Sequence, residues 1–276
     1  MKKKVNAGSV FYWGLAVIWL LAAAFPLYFT LISALKEDRE IFSNYFLPSL
    51  QPKFENFIAA NEMSGIVRAI GNSLLTAIGA VSVMLLLVIP LAYVVARKRI
   101  LFANAVTMYI MAALMIPIQC AVVPIVQVVN LFHGSNSILV LILIYAAINM
   151  PMSFFIMCGA VSDISHELDE SAAIDGANLI QIIFSIIVPV AKPNIATCCI
   201  ISFLAVYNEL ALANVLITEK AKRTISVALL SFKADSGTLY SITFASILLC
   251  IIPTVLFYLF AQEKVEKGIS TGAFKG

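Results

Sequence analysis

Six stretches of this chain, at about residues 10–35, 72–96, 105–131, 137–160, 194–217 and 241–262, each hold twenty or more mostly apolar residues. A helix needs about 20 such residues to cross the ~30 Å hydrocarbon core of a bilayer. In lipid, every backbone N–H and C=O must be satisfied within the protein, which a helix does within its own segment. The expectation is an all-α membrane protein of six transmembrane helices. Only 12% of the 276 residues are charged and 62% are hydrophobic. A soluble globule of that composition could not cover itself with polar surface. The whole chain, 1–276, reads as a single transmembrane domain.

One further apolar stretch, "LIQIIFSIIVPVA" at 179–191, does not fit the count. At ~1.5 Å per residue its helix would be roughly 20 Å long, too short for the core. Pro189 and Pro193 also interrupt helical hydrogen bonding. It reads as an interfacial or bundle-packed helix that turns into the fifth span at Lys192-Pro193. Were it a span, every later segment would change sides. The start, "MKKKVNAGSVFYWGLAVIWLLAAAFP", has the features of a signal peptide, with Ala22–Ala24 as a cleavage point. The apolar run continues past Ala24, so the expectation is an uncleaved first span. Its "FYWGLAVIW" supplies an aromatic interface belt.

Lysine and arginine near span ends set orientation. With six spans, ten of the 18 basic residues fall on the side of Arg97-Lys98-Arg99, Lys192 and both termini. Eight fall on the other. This places both termini, and a tail at 263–276, in the cytoplasm of a multi-pass protein of the cell membrane. Basic residues are scattered, without the clustering that nucleic acid would require. The cysteines at 120, 158, 198, 199 and 250 lie in apolar runs without paired spacing. They read as small buried hydrophobes. No catalytic constellation, metal site or Gly-rich nucleotide loop stands out.

The segment 163–192 is out of character. Glu167, Asp169, Glu170 and Asp175 crowd its first part, where Ser165 can cap a helix. Early acidic residues favour the helix dipole. Small residues at 171–173 let another surface approach closely. Gly176 can end the helix in a left-handed conformation, and Asn178 can cap the next. Such a short helix is marginal alone in water. It calls for a partner surface.

The spacing here resembles the cytoplasmic signature of permease subunits of ATP-binding-cassette importers: Glu-Ala-Ala, three residues, Gly, nine residues, Ile, one residue, Leu-Pro. This chain has Glu170-Ser171-Ala172, Gly176, Ile186 and Val188-Pro189. Ser171 and Val188 are the departures. "AIGNSLLTA", "MIPIQCAVVPIVQVVNLFHGSNSILVLILIYAAINMPMSFFIM" and "VYNEL" resemble further parts of carbohydrate-importer permeases. The ending "KGISTGAFKG" resembles the subunit type typified by the second permease of the maltose importer.

The resemblance implies the type I importer permease fold, with a cytoplasmic coupling helix between spans four and five. Glu170, Ser171, Ala172, Asp175, Gly176, Ile186 and Pro189 would couple it to ATPases. It implies a half-channel for a sugar, paired with a different permease, two ATPases and an extracytoplasmic sugar-binding protein. ATP and Mg would be bound by those ATPases, and no cofactor by this chain. The tail's Gly272, Lys275 and Gly276 would also meet the ATPases.

Glu209 stands inside an apolar run, where a carboxylate is costly and commonly functional. Two readings stand. It pairs with neighbours to fix helix packing, or it faces the transport path with Tyr207, Asn208 and Asn149. The competing function is an ion-coupled secondary sugar transporter, which would ordinarily show more intramembrane ionisable residues or internal repeats.

Overall fold

The computed structural model describes residues 7–97, 99–234 and 239–273. Among these it is helical, with α1 (Ala7–Ala34), α2 (Asp38–Ser43), α3 (Glu55–Ser64), α4 (Ile66–Ala96), α5 (Ala103–Ala112), α6 (Ile118–Leu131) and α7 (Ile138–Ser162). There follow α8 (His166–Ile174), α9 (Leu179–Ile182), a π-helical turn (Ile183–Ile187), α10 (Val188–Val190), α11 (Lys192–Tyr207), α12 (Ala211–Leu216), α13 (Ile225–Ala234) and α14 (Tyr240–Ala273). Four helices are long and apolar enough to cross a membrane: Phe11–Ala34, Ile66–Ala96, Ile138–Ser162 and Tyr240–Leu259.

The expected third and fifth spans are not straight rods. Ala103–Met115 and Ile118–Leu131 meet at 103°. Ile116 is extended and Pro117 caps α6. A residue before proline is pushed out of the α region, which breaks the helix there. The expected span 194–217 is interrupted at 208–210, between α11 and α12. The stretch Leu179–Val190 meets α11 at 80°. Pro189 has no N–H to return to the preceding turn, and the backbone widens into the π-helical turn just before it.

The chain divides into two compact units. The first comprises 1–67 and 229–252. Ala34, Ala60, Phe232 and Ala245 form its buried centre, packed by Phe57, Leu229, Ile242, Phe244 and Leu248. Small alanines at three of these positions let helices approach closely. Polar ties fix the loop after α1. Asn56 donates to the carbonyls of Ala34 and Lys36, both at 2.9 Å. The Asp38 carboxylate accepts from the backbone and hydroxyl of Ser241 at 2.8 and 2.6 Å. The buried Lys36 ammonium donates to the Asn44 carbonyl at 2.6 Å.

The second unit comprises 68–228 and 253–276. At its centre α4, α7 and α11 meet. The buried hydroxyl of Ser153 donates to the Met84 sulfur at 3.0 Å and lies 3.3 Å from the Ser202 hydroxyl. A Cβ on Gly79 would come within 2.8 Å of Ile142. At one end of this unit, Asn72 donates to the carbonyls of Ala221 and Arg223 at 3.0 Å. At the same end, Asn136 lies in the left-handed region, φ 58°. Its side-chain oxygen accepts from the backbone of Thr218 and Glu219, both at 2.8 Å.

These ties bring the turn before α7 against the loop after α12. Residue 136 precedes α7 and residue 218 follows α12, yet they touch. The chain between them must leave and return, and α7 with the α11–α12 pair accomplishes that. The segment 179–190 passes the length and composition test for a span only together with α11, from which it is bent by 80°. Asn136→Ala removes the acceptor for these exposed backbone groups and is expected to cost about 0.5–1.5 kcal/mol. At roughly 2–4 °C per kcal/mol for a chain of this size, the loss is readable as a lower unfolding midpoint in detergent.

Candidate functional site

The segment after α7 is built as a knuckle. The Ser165 hydroxyl accepts from the Glu167 N–H at 3.3 Å and opens α8. Eleven residues after Ser165, Gly176, at φ 84°, closes it. The N–H of Ala177 reaches the Ala172 carbonyl at 2.9 Å, and that of Gly176 reaches Ala173 at 3.1 Å. This nested pair of bonds is the Schellman ending, which requires a left-handed residue where Gly176 stands. Asn178 then opens α9 in a reciprocal capping box. Its side chain accepts from the Gln181 N–H at 2.9 Å, and its own N–H donates to the Gln181 side chain at 2.8 Å. Gln181 completes a Asn-x-x-Gln spacing that was readable in the sequence.

The knuckle has two faces. Glu170, Ser171, Asp175 and Gly176 are exposed, and Ile174 is 85% exposed. Asp169 and Ala172, three residues apart and so on one helix face, are buried. In the following segment Ile186 is half-buried and Pro189 exposed, while Ile182, Ile183 and Ile187 are buried. The structure thus gathers Glu170, Ser171, Asp175 and Gly176 on one outward surface. Ala172 points the other way, and Ile186 and Pro189 sit on the second helix.

The buried face holds a contact that the sequence reading missed. Arg97, just beyond the C-terminus of α4, donates from Nε to the Asp169 Oδ2 at 2.9 Å. Its Nη1 donates to the Ile164 carbonyl at 3.0 Å. The Tyr93 hydroxyl, one turn earlier on α4, donates to the same Asp169 oxygen at 2.9 Å. Both charged side chains are nearly inaccessible, at 2% and 3%. The available signal was the sequence itself: Arg97 ends an apolar run, and Asp169 shares a helix face with Ala172.

The second candidate group lies at the interruption between α11 and α12. Glu209 accepts from the Leu212 and Ala213 N–H groups at 2.9 and 3.2 Å. The Tyr145 hydroxyl of α7 donates to the same carboxylate. Glu209 is therefore not in the middle of a helix, as expected, but satisfies the start of one. Its packing role is real geometry. Asn149 donates to the Tyr145 carbonyl at 2.9 Å, one turn along α7. Asn208 is exposed and donates to the Leu204 carbonyl at 2.9 Å. Tyr207 departs from the expected path-facing group. Its ring is 2% exposed and stacks on Phe203 at 5.7 Å. In the tail, Lys275 and Gly276 lie outside the described residues, as does the side-chain environment around Gly272 in α14.

Comparison with known proteins places this geometry. The family of binding-protein-dependent transport system inner membrane components matches residues 88–270, which include the knuckle, its buried pair and the Glu209 interruption. The chain belongs to that family. This inner membrane component is a multi-pass membrane protein and a transport component. Its membership in a binding-protein-dependent system sets aside the ion-coupled carrier.

Among similar proteins, the putative ABC transporter permease protein ORF2 of Caldicellulosiruptor sp. (strain Rt8B.4) is 30% identical over 268 residues, 96% of each chain. The melibiose/raffinose/stachyose import permease protein MelC of Bacillus subtilis (strain 168) is 30% identical over 265 residues, 95% of each chain. In fold, the component is similar to a chain in the crystal structure of a bacterial ABC transporter involved in the import of the acidic polysaccharide alginate. That match has a TM-score of 0.85 at 18% identity, over 95% of this chain and 98% of the other.

Proposed function

We propose that this chain is one of two permease subunits in an ATP-driven importer of sugars, with an oligosaccharide as cargo. Its partners are a second, different permease, two ATPases in the cytoplasm and an extracytoplasmic sugar-binding protein. ATP and Mg belong to the ATPases. Both termini face the cytoplasm, and Gly272, Lys275 and Gly276 of the tail reach the ATPases. A relative named for the import of melibiose, raffinose and stachyose supports the choice of cargo.

The observation that carries the reading is the outward face of α8. Glu170, Ser171 and Asp175 are exposed around an 85% exposed Ile174. An isoleucine held so far into water by a capped two-turn helix is suited to a pocket on another protein. ATPase closure would tilt this helix and, through the chain behind it, bias the path between inward- and outward-facing states. Ile186 and Pro189 shape the second arm of the knuckle. Asn208, Glu209 and Asn149 would border the path, Glu209 held by its helix-start contacts and Asn208 free to meet sugar hydroxyls.

The test places a single cysteine at Ile174 in a background with the native cysteines replaced. The expected result is cross-linking to an ATPase in native membranes, with protection from a membrane-impermeant maleimide in intact cells. Labelling from outside the cell, with no ATPase adduct, would refute the proposal.

A further inference from the structure

The exposed face of α8 accounts for half of the knuckle. The buried face carries a different kind of information. Arg97 holds α8 at two points, through Asp169 in its body and through the Ile164 carbonyl just before its start. Two anchors on one rigid guanidinium fix the direction of a short helix as well as its position. Tyr93 adds a third contact from the same face of α4. A buried ion pair is a poor source of net stability, because removing two charges from water offsets most of their attraction. An apolar pair of similar size would pack as well. What it would lack is the fixed angle.

We propose that Arg97 and Asp169 are the positioning pair of this transporter: they lock α8 to the cytoplasmic end of α4, so that any tilt of α8 is delivered to α4. The inference rests on reading α8 as the coupling helix. From α4 the displacement reaches the interior directly, since Met84 of the same helix contacts Ser153 of α7 and Ser202 of α11. The pair joins the outward surface to the three-helix centre through one charged contact and the single helix α4, which carries Pro90 between the two.

The experiment uses the complete transporter with its own partner subunits in lipid. Spin labels are placed at Ile174 on α8 and at Leu101, which is 97% exposed in the loop after α4. The inter-label distance is measured without nucleotide and after trapping with ATP and vanadate. In the parent, the distance is expected to stay the same in both states, because the two sites move as one. In Asp169→Asn the distance is expected to shift on trapping and its distribution to broaden, as α8 moves and α4 lags.

If Asp169→Asn does not fold, the charge-free double variant Arg97→Met/Asp169→Leu keeps the test open. It is expected to assemble with the ATPases yet show the same shift. A parent distance that changes on trapping overturns the proposal. So does parent-like behaviour in the folded variants. Cross-linking of Ile174→Cys to the ATPase, scored in the same background, keeps the failures apart: its absence in the parent removes the coupling-helix reading itself.

Discussion

Gly176→Val is expected to abolish sugar uptake while leaving the chain in the membrane. A Cβ at this position meets nothing within 4 Å, so crowding within the chain is not the cause. The cause is the backbone. At φ 84° a residue with a side chain is strained by roughly 1–2 kcal/mol, and a β-branched one by more. The strain is relieved by opening the turn, which breaks the bonds from Gly176 and Ala177 back to α8. The helix would persist, since its N-cap and its Arg97 anchor are untouched, but its exposed end would point elsewhere. Gly176→Asn provides the control, because asparagine tolerates the left-handed region. It should retain most uptake. Glu170→Lys should fail for a different reason, a reversed charge on the outward face with the turn intact. Uptake of a labelled sugar that cells carrying the parent take up, set against the amount of each variant in the membrane, separates these cases. Normal uptake by Gly176→Val would remove the turn from the mechanism.

The second large effect is expected at Glu209. Glu209→Ala removes the acceptor for two backbone N–H groups, on Leu212 and Ala213, both fully buried residues. Each orphaned donor costs roughly 1–3 kcal/mol, and the Tyr145 hydroxyl loses its partner too. A chain of this size loses about 2–4 °C of unfolding midpoint per kcal/mol. The variant should therefore unfold at a markedly lower temperature in detergent. Glu209→Gln keeps one acceptor oxygen but replaces the other with an NH2 group, a second donor where Ala213 already donates. It should fall between the parent and Glu209→Ala. If Glu209→Ala unfolds with the parent, the carboxylate does not hold α12, and its place in the structure needs another explanation.

What could be read from sequence was what local chemistry decides. Ser165, Gly176 and Asn178 each act within three residues of themselves, through a hydroxyl, a missing side chain and an amide. Their roles follow from residue type and spacing. The shortness of 179–190 was legible for the same reason, since length and two prolines are local facts. The interruption at 208–210 was not. "VYNEL" carries no proline or glycine, and the helix stops where Glu209 finds Tyr145, 64 positions earlier in the chain. The Arg97–Asp169 pair spans 72 positions and depends on how α7 returns the chain to the end of α4. Apolar composition specifies that helices pack. It does not say which lone charges they bring face to face.

The contact between Asn136 and Thr218 has a wider consequence. Counting hydrophobic peaks along a chain like this one yields a seventh at 179–190, and an odd tally turns everything downstream inside out. A topology drawn from that tally would part the turn at 136 from the loop at 218–219, which touch. One asparagine side chain, tying two turns some eighty positions apart, is a fixed point that any such map has to respect.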